Sequence, residues 1–160
     1  MKNFLEIRTI EDEIVYYVRK YGSYHISAMQ AYIELQEFII KHNLETPNVN
    51  KNIKVYGIPH NNPCITPTQN CKYDYCITLS KHIPIEGNVS IQTLRGGKYA
   101  VFGHKGAYET IGSLFFAIES QWIPQNNYIR RDLPAFIVHL KDIETTASED
   151  LLSEIYIPIE

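Results

Sequence analysis

Several things are scarce in this sequence. Cysteine occurs three times, at Cys64, Cys71 and Cys76, separated by six and four intervening residues. No CxxC pair exists, so neither a disulfide framework nor a zinc knuckle is expected, and the count suits a reducing compartment. No apolar run approaches the ~18 residues that argue for a membrane span. The opening segment, MKNFLEIRTIEDE, lacks the apolar stretch of a signal peptide. A cytoplasmic protein with no membrane partner is expected. Neither charge sign dominates: 15 Lys and Arg stand against 18 Asp and Glu, net -3. With no basic tail or stripe, nucleic acid is not an expected partner. Glycines cluster in GGKYAVFGHKG, but they open a strand and lack the Gly-x-Gly-x-x-Gly order of a nucleotide loop. No Gly-x-Ser-x-Gly elbow occurs. Six histidines (25, 42, 60, 82, 104, 139) are scattered. No metal and no cofactor are expected.

What is present is a core. Apolar residues make up 44% of the 160, too many for a disordered chain and enough for one domain. Tyrosine is abundant, 12 against 6 Phe and 1 Trp, and its flat apolar body with a polar tip suits half-wet surfaces.

The periodicity gives an element order. FLEIRTI (4–10) and DEIVYYVRKY (12–21) read as strands. From Tyr24 to about His42, Ala28, Tyr32, Leu35 and Ile39 recur at helical spacing. Strands follow at 53–58 and 73–80, around a loop rich in Pro and Asn. Then the order repeats: strands at 89–94 and 98–105, and a helix with Ile111, Phe115, Ile118 and Trp122 on one face. That helix is expected to end near Ile123, because the residue before Pro124 is pushed out of helical geometry. Strands at 135–141 and 151–159 close the chain. YGSY (21–24) aligns with KGAY (105–108), and the strand begun by Asp74 with the one begun by Glu154. The expectation is a single α+β domain, 1–160, built by tandem duplication: repeat 1 at about 1–80, repeat 2 at about 89–160. The sheet should be mostly antiparallel, with two long helices.

The last strand, LLSEIYIPIE, sets one charge, Glu154, among apolar residues. Side chains alternate across a strand. Glu154 and Tyr156 then share one face, and Ile155, Ile157 and Ile159 take the other, the natural one to pack on a helix. A carboxylate walled by rings suits a lipophilic cation. Candidates for the wall are Tyr156, Tyr108, Trp122, Phe102, Tyr24, Tyr56 and Tyr75. The plainer reading is a Glu that faces solvent or pairs with Arg130, Arg131 or a Lys. Pro158 cannot donate to a ladder, so this strand end is expected at an edge or bulge.

Three segments carry a resemblance: NPCITPTQNCKYDYCITL (62–79), RGGKYAVFGHKGAY (95–108) and SEIYIPI (153–159). In this order they resemble the gyrase-inhibitory-protein-like family. That family is also the effector-binding domain at the C-terminus of many AraC-type and MerR-type multidrug regulators. The resemblance implies two fused βαββ units about a pseudo-two-fold, and an amphipathic cleft between the repeats with Glu154 as its central acid. It implies a binder of hydrophobic, often cationic aromatic compounds, engaged in drug sensing or sequestration with or without a protein partner. No helix-turn-helix accompanies the domain, so direct DNA binding is not expected. Two other activities belong to the resemblance. One is hydrolysis of electrophilic cyclopropane-type toxins, with Glu154 as base, Tyr156 or Tyr108 as donor and Trp122 stacked on the substrate. The other is inhibition of DNA gyrase.

Overall fold

The computed structural model describes residues 1–160. The strands are β1 (Phe4–Ile10), β2 (Glu13–Tyr21), β3 (Val55–Pro59), β4 (Lys72–Thr78), β5 (Val89–Leu94), β6 (Gly97–Lys105), β7 (Phe136–His139) and β8 (Leu152–Pro158). The helices are α1 (Tyr24–Lys41), α2 (Ile111–Ala117) and α3 (Ile123–Gln125), with a π-helical turn, Ile118–Trp122, joining the last two. Every strand pairing described is antiparallel, as the α+β reading expects.

The chain divides into two compact units, Asp12–Arg95 and Met1–Glu11 with Gly96–Glu160. In the first, β4 lies between β3 and β2, and β2 pairs on its other side with β5. In the second, β8 lies between β7 and β6, and β6 pairs with β1. Each unit thus has four strands and one helical segment. The leading strands are exchanged relative to the repeats read from the sequence: β1 completes the later unit and β5 the earlier one.

Each helix follows its strand through a glycine at φ +121°, Gly22 or Gly106. Their amides bond to equivalent carbonyls, Gly22 N to Cys71 O and Gly106 N to Leu151 O, both at 2.9 Å. Helix α1 buries Ala31, Leu35, Phe38 and Ile39 at helical spacing, against Tyr16, Val18 and Ile77 of the sheet. Asn43, at φ 51°, ends it in the left-handed region, with Leu44 N bonded to Ile39 O.

The helical stretch of the later unit continues past Ile123, contrary to expectation, and Pro124 sits in its final turn. The π turn just before it changes the bonding that a proline would otherwise break. In the same region the Ser120 hydroxyl donates to Phe116 O at 2.6 Å. Ile155, Ile157 and Ile159 pack as expected on the helix side, with Ile111, Ile118 and Trp122. Each such side chain contributes roughly 1.5–3 kcal/mol of burial. β8 is an inner strand rather than an edge. Pro158 is its last residue; beyond it Ile159 forms an isolated bridge with Arg130, and its amide donates to Lys98 O on β6 at 3.0 Å.

Candidate functional site

The face of the later unit opposite its helix carries Glu154. On β8, Glu154 stands opposite Gly103 on β6 and Val138 on β7, and Tyr156 opposite Val101 and Phe136. Tyr99 on β6 stands opposite Pro158, and on β1 Arg8 stands opposite Tyr99 and Glu6 opposite Val101. Alternation therefore puts Glu6, Arg8, Tyr99, Val101, Phe136, Val138, Glu154 and Tyr156 on one face.

Three rings meet there. Phe136 and Tyr156 stack with centroids 4.8 Å apart and planes 14° apart. Tyr99 stands edge-on to both, at 5.2 and 5.9 Å. The Arg8 guanidinium reaches across: Nη1 donates in a short contact to the Tyr156 hydroxyl and approaches Glu154 Oε1 at 3.5 Å. Its Nε donates to Glu6 Oε1 at 2.6 Å. Burial pushes the Tyr156 phenol up, and the Glu154 charge adds to that, so the phenol stays neutral.

The corresponding acid of the earlier unit is Asp74, and its surroundings differ. Its side chain is fully buried. Arg19 donates from Nε to Oδ1 at 2.7 Å and from Nη2 to Oδ2 at 2.8 Å. His60 Nε2 lies 2.8 Å from Oδ2, and Gln92 Nε2 donates to it at 2.9 Å. The register explains the contrast. Arg19 is the residue of β2 opposite Asp74, and Gly103 is the residue of β6 opposite Glu154. His60 follows two residues after Ile58, which faces Asp74; Leu140 follows two residues after Val138, which faces Glu154. Gln92 faces Val15, four residues before Arg19; Arg8 faces Tyr99, four residues before Gly103. Where Asp74 has Arg19, His60 and Gln92, Glu154 has Gly103, Leu140 and Arg8. One acid is locked by charge-assisted bonds, and the other keeps a single contact at 3.5 Å.

Of the residues expected around Glu154, the structure brings Tyr156 to it. Phe102 and Trp122 lie on the helix side of the sheet. Trp122 is already stacked, on Phe4 at 4.9 Å and on Tyr128 at 5.3 Å, with Phe102 edge-on at 5.0 Å, so it offers no free ring face. Tyr108 also packs against that core, 4.7 Å from the His139 ring. The other three belong to the earlier unit. Tyr24 donates to Asn61 O at 2.8 Å, and Tyr75 meets Tyr32 of α1 edge-on at 5.4 Å. Tyr56 donates to Glu13; facing Cys76 as Phe136 faces Tyr156, it is the counterpart of Phe136. The expected arginine partners of Glu154 are engaged elsewhere. Arg130 pairs with Glu119, and Arg131 donates to the carbonyls of Ile159, Gly96 and Lys98.

Arg8, Tyr99 and Phe136 were missed by the sequence reading. The alternation of FLEIRTI does put Glu6 and Arg8 on one face. Bringing that face beside Glu154 required the β1–β6–β8 register.

Two units of antiparallel strands, each with a helix, make an α+β domain with an acid among rings on one sheet face. Residues 4–160 match the model of the GyrI-like small molecule binding domain, and the chain belongs to that family. The probable transcriptional regulator YgiV of Escherichia coli (strain K12) is 26% identical over 107 residues, 66% of this chain and 67% of that protein. The structure also resembles EcmrR in an EcmrR–DNA complex, with a TM-score of 0.81 at 18% identity. All of this chain is covered there, and it spans 59% of the EcmrR chain. SAV2435 bound to tetraphenylphosphonium gives a TM-score of 0.57 at 16% identity, covering 98% of this chain and 93% of that one. No helix of the structure is long and apolar enough to cross a membrane.

Proposed function

We propose that this domain binds hydrophobic, often cationic aromatic compounds on the β6–β8–β7 face, with Glu154 as counter-charge. One observation carries the reading. Glu154 sits beside the stacked Phe136–Tyr156 pair with one long contact to a cation, whereas its counterpart Asp74 is saturated. A half-buried carboxylate left this open keeps charge available for a guest. Rings beside it add cation–π and dispersion attraction, on the order of 0.5–2 kcal/mol per ring. The complex of SAV2435 with tetraphenylphosphonium, an aryl cation, supports this class of ligand. Binding would serve to sequester such compounds or to signal their presence to a protein partner.

The test is a titration with a fluorescent aromatic cation. Glu154→Gln keeps the shape of the side chain and removes its charge. Affinity should fall at least about tenfold, roughly 1.4 kcal/mol, with the melting temperature little changed. Equal affinity of the two proteins would remove Glu154 from the account.

A further inference from the structure

We propose that Arg8 limits how many positive charges a guest on this face can carry, so that singly charged aromatic cations are preferred over doubly charged ones. The inference rests on the reading that Glu154 meets the charge of the guest. Three formal charges gather there: Glu6, Arg8 and Glu154. The close partner of Arg8 is Glu6, at 2.6 Å, and Glu154 is the distant one, at 3.5 Å. Side-chain exposure falls from 53% at Glu6 through 32% at Arg8 to 20% at Glu154. The arginine is thus neutralised from the outer side, and one negative charge is left over on the inner side.

A monocation brings this group to balance. A dication leaves its second charge facing Arg8, or facing Arg131, whose guanidinium lies 4.9 Å from the Tyr99 ring. Like charges a few ångströms apart on a partly desolvated surface repel strongly. The earlier unit supplies a comparison within the same chain. The place of Arg8 is taken there by the uncharged Gln92, and the acid is neutralised from β2 by Arg19. The chain sets a cation on its outer strand only in the unit whose acid is open.

Ethidium and propidium share one ring system and carry one and two positive charges, so their ratio of affinities reads charge number. Wild-type protein should favour ethidium by about fivefold or more, the effect of one like-charge contact at partly screened distance. Arg8→Gln should tighten propidium about fivefold more than it tightens ethidium, and Arg8→Lys should keep the wild-type ratio. Glu6→Gln leaves Arg8 in place and removes its outer partner. Arg8 then turns to Glu154, and ethidium should weaken by about fivefold. Melting curves establish that each variant is folded, and Glu6→Gln carries the test if Arg8→Gln is not. An unchanged dye ratio in folded Arg8→Gln overturns the inference, as does unchanged ethidium binding in Glu6→Gln. If ethidium still depends on Glu154 in those cases, the binding reading stands and only the role of Arg8 falls. Binding of neither dye to any of these proteins overturns both.

Discussion

Asp74 and Glu154 show how little chemistry separates a structural acid from an open one. Burial alone would raise the pKa of Asp74, but the hydrogen bonds from Arg19, His60 and Gln92 outweigh it and bring the value to about 2. An acid whose folded pKa is depressed stabilises the fold above its unfolded value, near 4, and that contribution is lost as the pH falls toward 2. The lost amount is on the order of 2 kcal/mol. Asp74→Asn leaves the Arg19 guanidinium without its charged partner and should cost about 3 kcal/mol in urea unfolding. It should also remove the share of the stability change between pH 4 and 2 that Asp74 supplies, leaving a remainder from Glu34 and Glu86, whose carboxyls are also held low by cationic partners. A cost under about 0.5 kcal/mol, the range of ordinary surface changes, would mean that the network does not hold this unit. Glu154→Gln should show no comparable loss, since Glu154 lacks such a network. That contrast in stability is separate from any measurement of ligand affinity.

At the scale of elements, much was legible and the reason is periodicity. Strands β1 and β5 and helix α1 have the bounds read from alternation and helical spacing to within a residue, but the helix buries Ser27, Ala31 and Phe38 with Leu35 and Ile39, in place of the expected Ala28 and Tyr32. The second helix was less legible at its end. A proline normally stops a helix, and nothing in IESQWIP announces the π turn that lets Pro124 continue it. Glu154 and Tyr156 could be read as a pair from one strand alone. Phe136, Tyr99 and Arg8 could not, since they reach the site through pairings between β1, β6, β8 and β7 that no single segment encodes. Trp122 was misplaced for a related reason: a lone large ring attracts a binding role, whereas here Phe4 and Tyr128 occupy it. The two strand-to-helix corners are a matter of backbone. Gly106 takes φ +121°, and a side chain there would find open space but a strained backbone. Gly106→Ala should therefore destabilise by about 1–3 kcal/mol, measured by thermal or chemical unfolding, through conformation and not through a clash.

For the whole molecule, acid stability has a second component. His139 on β7 is held neutral by burial, which lowers its pKa to about 4. Burial also lowers His104. Between pH 6.5 and 4 the unfolded chain binds a proton at His139 that the folded chain does not. Stability should then fall on acidification through that window, by up to about 3 kcal/mol from His139. Above pH 6.5 both states are neutral there and the effect vanishes. His139→Leu should flatten the melting temperature against pH over that window, with His104 leaving a remainder. A wild-type profile level from pH 6.5 to 4 would contradict this. The effect lies above the Asp74 window, so one pH series separates the two groups.

The exchange of leading strands also sets an order of assembly. β1 is made before β2 to β5, yet its partner β6 begins only at Gly97. By then every strand and the helix of Asp12–Arg95 have been made. At ordinary elongation rates the wait is on the order of ten seconds. During it an unpaired strand bearing Leu5 and Ile7 is a natural client for a chaperone.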